Sequence, residues 1–574
     1  RAFVVEEPSS KIFAFVSVDF GMGAHAVTRL ALELLNTDTK TKGVFDYTNL
    51  CISGTHTHSS PAGFLGKVLF QITSLGFQKT SYETYAQAVY KAVAEAYATR
   101  SAATISSNRG LVEDANINRS PTAYLLNPAA ERAKYPNNTD KEMVLLKFQD
   151  ATTGAGIGML NWYSVHGTSL NNTNKLVSGD NKGYASYLFE QAVNPAGTVT
   201  GEGKFVAAFA AANLGDVSPN INGTFCMDTG LPCDNLHSTC NGRNEMCTGR
   251  GPGKDMFDSA RIIGTRQYKR AMELYTQATT IVDGTVDMRH TFVDFSKFSF
   301  PLPMNSGAGG TNGNVTTCPG AMGYAFAAGT TDGPGMFNFI QATNTTNPFW
   351  NAVSDLLSKP TKEQIACQHP KPILLNIGEV TKPYDWAESV VPLQLLRIGD
   401  FFIIAVPSEF TTMAGRRMRE RVADAVTKAG LSKKPTVVLA GLSNMYGDYT
   451  ATFEEYQEQR YEGASTIFGP HELEAFIFNA VRLVNDMASG KNPSDTLPAP
   501  DFDIKKMIDL LPKWDYDTVG IGKHYGDVTV QPQATVKRGQ IVEATFRSAN
   551  PRNNIRTGGT FLTVEKFDVS SGKW

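Results

Sequence analysis

Five short apolar runs in this chain each end in residues with acid–base or metal-binding side chains. Residues 49–53 lead into Thr55, His56, Thr57 and His58, and residues 156–165 lead into His166. Residues 205–212 lead into residues 215–220 (GDVSPN), 401–406 into Ser408 and Glu409, and 436–442 into residues 444–449 (NMYGDY). Amphipathic helical patterns alternate with such runs. Residues 82–99 carry Tyr85, Val89, Val93 and Ala94 on one stripe, and residues 411–429 are opened by Ser408 or Thr411 and closed by Gly430. This alternation predicts an α/β fold. In such folds ligands bind beyond the carboxyl ends of the strands, where the loops converge.

Taken one at a time, the polar residues have ordinary explanations. A lone histidine after an apolar strand often completes a core, Glu409 favours a helix start, and Ser218 lies in a turn-forming sequence. Their recurrence at five run ends points to a site instead. His56 and His58, two apart, share one face of an extended segment. Two or three imidazoles with a carboxylate suit a borderline cation such as zinc, which would activate water at an open position. Rival chemistries find no support. There is no G-x-S-x-G elbow and no phosphate-binding G-x-x-x-x-G-K-[ST], and residues 471–475 (HELEA) lack the second histidine of a zincin helix.

The 574 residues are 41% hydrophobic and 19% charged with a formal net charge of −2, which excludes a disordered chain and gives no basic surface for nucleic acid. No apolar run is long enough to span a membrane. The chain opens at Arg1 on a strand-like run without an initiator Met, as a processed chain or fragment would. Residues 490–500 (GKNPSDTLPAP) have the composition of a linker, and residues 527–530, 541–546 and 560–564 read as strands. The expected organisation is a catalytic α/β domain over 1–490, a linker over 491–503 and an incomplete β-sandwich over 504–574. Cys226, Cys233, Cys240 and Cys247 recur every seven residues in a polar loop. Such a set is either a zinc knuckle or two disulfides; the uneven residues around it and the lack of any C-x-x-C pair favour disulfides. Cys51, in an apolar run, is expected as a buried free thiol. Sequons at Asn137, Asn171, Asn222, Asn314 and Asn344 fit an extracellular or cell-surface protein made in the secretory pathway.

Seven segments resemble those of neutral ceramidases, in the family's order: residues 54–59 (GTHTHS), 116–121 (NINRSP), 127–128 (NP), 138–143 (NTDKEM), 215–220 (GDVSPN), 407–412 (PSEFTT) and 461–466 (YEGAST). The resemblance implies a zinc-dependent amidohydrolase that splits ceramide and other N-acylsphingosines, lipids of a membrane surface, into sphingosine and a fatty acid. It implies zinc on His56, His166, Glu409 and Tyr449, with Tyr446 the alternative tyrosine. It implies Ser218 as nucleophile and His58, Arg119 and Tyr461 around the scissile amide. It further implies disulfides Cys226–Cys240, Cys233–Cys247 and Cys318–Cys367, and an immunoglobulin-like C-terminal domain. The family's second ion, calcium or magnesium, is expected on residues beyond Trp574, with chain missing at both ends. The other enzyme reading is a zinc amidase for another N-acyl lipid or an acylated amino acid; the Phe- and Leu-rich residues 64–77 favour a long-chain lipid. The non-enzymatic reading is a lectin-like or receptor ectodomain, which would hold no stoichiometric metal.

Overall fold

The computed structural model describes residues 1–9, 11–302, 313–335, 337–511, 517–550 and 560–574. Three sheets are built from the expected runs. The first orders β1 (Ala2–Glu6), β2 (Ile12–Val18) and β3 (Leu50–Gly54), with β2 and β3 parallel. The second orders β4 (Ala103–Leu111), β5 (Glu142–Asp150), β6 (Gly156–Tyr163) and β7 (Val206–Ala211), with β6 and β7 parallel. The third orders β8 (Val286–Asp294), β9 (Val390–Ile398), β10 (Phe401–Ala405) and β11 (Thr436–Ala440), with β10 and β11 parallel.

Side chains alternate across a strand, and here both faces of each sheet are covered. One set meets in a core shared by all three sheets: Phe15 of β2, Leu146 and Leu160 of β5 and β6, and Phe401 and Ile403 of β10. Trp162 stands in the middle, with its ring 5.4 Å from Phe15 and 5.7 Å from Phe401. The alternate residues face outer helices. Ala14, Val16 and Ile52 pack with helices His25–Thr37 and Lys79–Ala98. Leu145, Met159 and Phe209 pack with Asp180–Val193 and Met256–Thr276. Phe402 and Ile404 pack with Thr412–Lys428 and Glu472–Ala488. Double-sided burial explains why the runs read as continuously apolar. Thr411 caps its helix by accepting the Ala414 N–H at 3.3 Å, and Gly430 closes it with φ +72°.

The chain forms two compact units, Arg1–Ile508 and Asp509–Trp574. Residues 491–508, most of which read as a linker, belong to the first unit as a strap over it. The Leu497 N–H donates to the Phe292 carbonyl at 2.9 Å, the His25 ring bonds the Pro500 carbonyl at 2.7 Å, and Phe502 packs on Phe77 and Tyr82. Proline and glycine composition marks an irregular backbone but does not say whether its apolar residues find a groove. In the second unit, Val528–Val530 pairs antiparallel with Thr545–Phe546, while residues 560–564 form no strand. Among the described residues of that unit there is one two-stranded ladder and no sandwich. Ile541 and Val564 stay 87% and 97% exposed, because no second layer covers them.

Cys226–Cys240, Cys233–Cys247 and Cys318–Cys367 are disulfides, and Cys51 is a buried free thiol. Of the sequon asparagines named above, Asn171, Asn222, Asn314 and Asn344 are exposed. The Cys318–Cys367 bridge closes a sequence separation of 49 residues. In the chain-entropy treatment such a loop is worth about 4 kcal/mol. The Cys318→Ala/Cys367→Ala pair should therefore lower unfolding free energy by about 3–4 kcal/mol in denaturant titrations. A change under about 1 kcal/mol would show that the unfolded chain is not restrained by this bridge.

Candidate metal centre and active site

The carboxyl ends of β3, β6, β7, β10 and β11 deliver their polar residues to one buried place. Beyond β3 the chain turns at His56, whose φ is +67°. This left-handed conformation disfavours most side chains and is held here by its surroundings. His56 Nδ1 lies 2.7 Å from the Gly21 carbonyl, and His166 Nδ1 lies 2.9 Å from the Val217 carbonyl. A carbonyl only accepts, so each Nδ1 carries a proton, and in a neutral ring Nε2 then presents a bare lone pair. Both Nε2 atoms are aimed at Glu409 Oε2, at 3.3 and 3.0 Å. His166 Nε2 and Glu409 Oε2 are fully buried and have no hydrogen-bond partner.

Two lone pairs directed at a carboxylate oxygen in a dry interior repel one another, and a cation among them reverses the sign of each interaction. The donor set therefore fits a divalent metal. His58, which reaches solvent, places Nε2 3.0 Å from His56 Nε2, so three imidazoles form one group. Burial works to raise the Glu409 carboxyl, and positive charge on the two imidazoles, or on a cation among them, works against it to keep the carboxyl well below the usual carboxylate range. Burial and the nearby Arg119 charge push His166 down to about 4 against the pull of Glu409, which leaves it neutral at pH 7.

Glu409–Phe410 runs parallel to Tyr449–Thr450, with Glu409 and Tyr449 in register. Two tyrosines consequently border the carboxylate. Tyr446 OH donates to Glu409 Oε1 at 2.7 Å, and Tyr449 OH accepts from Arg119 Nη2 at 3.0 Å. Burial, reinforced by Glu409, keeps both phenols protonated. The ring of Tyr461 stands edge-on to Tyr449 with centroids 5.2 Å apart.

Val217–Ser218 pairs with Ile117–Asn118, and Arg119 N–H donates to the Asp216 carbonyl at 2.9 Å. Ser218 thus directly follows the carbonyl that orients His166. Its Oγ accepts the Asn220 N–H at 3.0 Å and donates to Asp332. The buried guanidinium of Arg119 is engaged within the protein. Its Nε donates to Glu462 Oε1 at 3.0 Å, and Nη2 donates to the Gly215 carbonyl at 2.7 Å. Ser120 donates to the other Glu462 oxygen at 2.6 Å.

His56, His58, His166, Ser218, Arg119, Glu409, Tyr446, Tyr449 and Tyr461 are therefore neighbours. Asp332, Glu462 and the carbonyls of Gly21 and Val217 were not foreseen. Glu462 lies within a segment already singled out. Asp332 sits in residues 331–335 (TDGPG), where nothing local separates it from an ordinary turn aspartate. A Cβ on Gly167 would lie 2.3 Å from the His56 carbonyl oxygen, and one on Gly215 would lie 2.7 Å from that of Glu409. Glycine at these two points lets the ligand-bearing segments approach.

Leu65 and Phe70 of the apolar residues 64–77 line a recess of about 180 Å³ that shares Tyr446 and Met445 with this region. Phe64 and Phe77 of the same stretch are core residues.

Fold and site together define an α/β protein with a buried histidine–carboxylate cluster of a kind that could hold a metal at its strand ends and a serine near it. Residues 1–478 match the family described as neutral/alkaline non-lysosomal ceramidase, N-terminal, and residues 480–574 match its C-terminal counterpart. The chain belongs to this neutral/alkaline ceramidase family. It is 43% identical to the neutral ceramidase of Oryza sativa subsp. japonica (99% of this chain, 80% of that one). It is 45% identical to neutral ceramidase B of Dictyostelium discoideum (98% and 78%). Among solved structures it is similar to a ceramidase complexed with C2, at TM-score 0.80 and 34% identity (98% and 80%). It is also similar to the neutral ceramidase from Pseudomonas aeruginosa, at TM-score 0.78 and 32% identity (98% and 80%).

Replacing Glu409 by Gln keeps the shape and supplies an amide donor to a histidine lone pair. Glu409→Gln should lose most of its divalent metal on elemental analysis, while its metal-stripped form melts at or above the temperature of metal-stripped wild type. Full metal occupancy in the variant, or a lower melting temperature of its stripped form, would refute the repulsion argument.

Proposed function

We infer that the protein hydrolyses the N-acyl amide bond of ceramide to sphingosine and a fatty acid, with Ser218 as nucleophile and zinc as its metal. The observation that carries this is the adjacency of Ser218 to the orphaned donors of His166 and Glu409. Those donors fit zinc, with His56, His166 and Glu409 as ligands and Tyr449 as the fourth in preference to Tyr446. When bound, the ion supplies positive charge for a developing oxyanion and lowers the pKa of water.

The protein's own groups do the rest. An amide is a poor electrophile with a poor leaving group, so it needs a nucleophile, oxyanion donors and proton delivery. Ser218 Oγ attacks the carbonyl carbon, the C–N bond breaks, and water then resolves the acyl ester. His58, open to solvent beside His56, and Tyr461, kept protonated chiefly by burial, are the oxyanion donors. Arg119, its fork turned to Tyr449 and Glu462 and its Nη1 3.9 Å from Asp332 Oδ1, positions those groups. The recess beside Tyr446 offers room for part of an alkyl chain.

Three disulfides and four exposed sequons support an extracellular or cell-surface setting. Among the described residues no helix is long and apolar enough to cross a membrane, so a ceramide substrate would be met at a lipid surface. The second unit is read as part of an immunoglobulin-like β domain, supported by its one antiparallel ladder and its uncovered apolar side chains.

Two variants test the assignment. Ser218→Ala should keep its fold and about one zinc per chain yet hydrolyse ceramide roughly 10³-fold or more slowly. His166→Ala should lose zinc, and activity with it. Substantial turnover by Ser218→Ala would sink the acyl-enzyme and leave direct attack by water. A full equivalent of zinc in His166→Ala would remove that residue from the ligand set.

A further inference from the structure

We propose that Asp332 is the catalytic base that takes the Ser218 hydroxyl proton and returns it to the departing amine; this rests on the reading of Ser218 as nucleophile. The case begins with the hydroxyl itself. Ser218 Oγ accepts the Asn220 N–H at 3.0 Å, and its own hydrogen is directed to Asp332 Oδ2. One lone pair is left for a carbonyl carbon. Among the described residues no other carboxylate, and no imidazole, is hydrogen-bonded to Ser218 Oγ. The histidines are committed elsewhere: Nε2 of His56 and of His166 face Glu409, and Nε2 of His58 faces His56.

Asp332 is also held as a positioned group would be. It lies in the tight hairpin that pairs Gly329–Thr330 with Gly333–Pro334, 114 residues from Ser218 in sequence. Its side chain is only 4% exposed. Thr330 Oγ1 donates to Oδ1 at 2.8 Å, and Asn220 Nδ2 donates to Oδ2 at 3.1 Å. Arg119 Nη1 stands 3.9 Å from Oδ1. None of these partners is a metal donor. A buried serine in a turn needs only some acceptor, and a backbone carbonyl would satisfy it. A carboxylate there adds the ability to accept a proton. Burial alone would raise the Asp332 carboxyl, but Arg119 and the hydrogen bonds from Ser218, Thr330 and Asn220 hold it below its usual range. It is thus ionised, and able to accept, at neutral pH.

The step balances without another reagent. As the Oγ–C bond forms, the O–H bond of Ser218 breaks, its proton moves to Asp332 Oδ2, and the carbonyl π pair moves to oxygen. When that pair returns, the C–N bond breaks and the proton passes from Asp332 to the leaving nitrogen, giving the free amine and an acyl ester on Ser218. Water then attacks the ester, losing a proton to Asp332, which passes it to Ser218 Oγ as the fatty acid departs.

The test uses the metal-loaded enzyme and a short-chain ceramide. Asp332→Asn keeps the size of the side chain and an oxygen for the Ser218 hydrogen bond, but cannot take the proton. Its kcat should fall about 10²- to 10⁴-fold, with KM within about threefold and metal content unchanged. In combination with Ser218→Ala it should cause no further loss, because the two act as one unit; a merely structural role would add its effect to that of the serine. If Asp332→Asn retains kcat within tenfold of wild type while Ser218→Ala is inactive, Asp332 is not the base and Ser218 stands as nucleophile. If Ser218→Ala is itself active, the nucleophile reading fails and the proposal falls with it. Should Asp332→Asn not fold, Thr330→Val removes one tether of the carboxylate. It is then expected to lower kcat about tenfold at unchanged KM, and an unaltered kcat would overturn the proposal.

Discussion

Two imidazole nitrogens held within 3.3 Å of one carboxylate oxygen in a buried place set the main constraint on this structure. In a low-dielectric interior their repulsion favours any movement that separates them, so their close approach depends on how the surrounding structure holds each group. Carbonyl oxygens of Gly21 and Val217 fix the ring orientations, and each ligand follows a strand buried on both faces. The centre is thus a local liability maintained by the scaffold and relieved by a cation.

That scaffold is the shared core of three sheets. Phe15, Trp162 and Phe401 meet in its middle, and each sheet turns its other face to a helix layer. The parallel pairs β2/β3, β6/β7 and β10/β11 send their carboxyl ends to the same side, so five loops converge without long excursions. Convergence brings backbones unusually close, which is why Gly167 and Gly215 have no room for a side chain.

Around the centre, charges are arranged in two buried networks. In the nearer one, Arg119 connects Tyr449 and Glu462 and lies beside Asp332, linking the metal side of the site to the serine side. In the outer one, Asp140 accepts from Arg416 and Asn213, while Asp216 accepts from Asn118 and from the N–H and hydroxyl of Thr412. The Asn116 amide adds bonds to the carbonyls of Asp140 and Ser164. Asn116, Asn118, Asp140 and Asp216 belong to segments 116–121, 138–143 and 215–220. Much of what is distinctive in those segments therefore supports the loops and takes no part in chemistry. Truncating a member of either network would leave a buried polar group unpaired, at about 1–3 kcal/mol or more for a charge.

Apolar runs of strand length, β-branched and ended by polar residues, determined the α/β class and the direction of the site, because periodicity and strand-end geometry are local properties of the chain. The donor types in residues 54–59, His166 and Glu409 likewise made this the place where we propose a metal of mixed nitrogen and oxygen preference. Only the tertiary structure decided the rest. Whether residues 491–508 form a linker or a strap depends on a groove made by Phe77, Tyr82 and Phe292, which are distant in sequence. The second unit shows the converse, since strand-like residues at 560–564 stay irregular and no layer covers them among the described residues. Strand register sets Tyr449 beside Glu409 while Tyr446, outside that register, makes the hydrogen bond to it, and the approach of Asp332 to Ser218 follows from a hairpin 114 residues away. Sequence patterns encode what each segment prefers by itself; which side chains meet across a buried site is set by how the whole core packs.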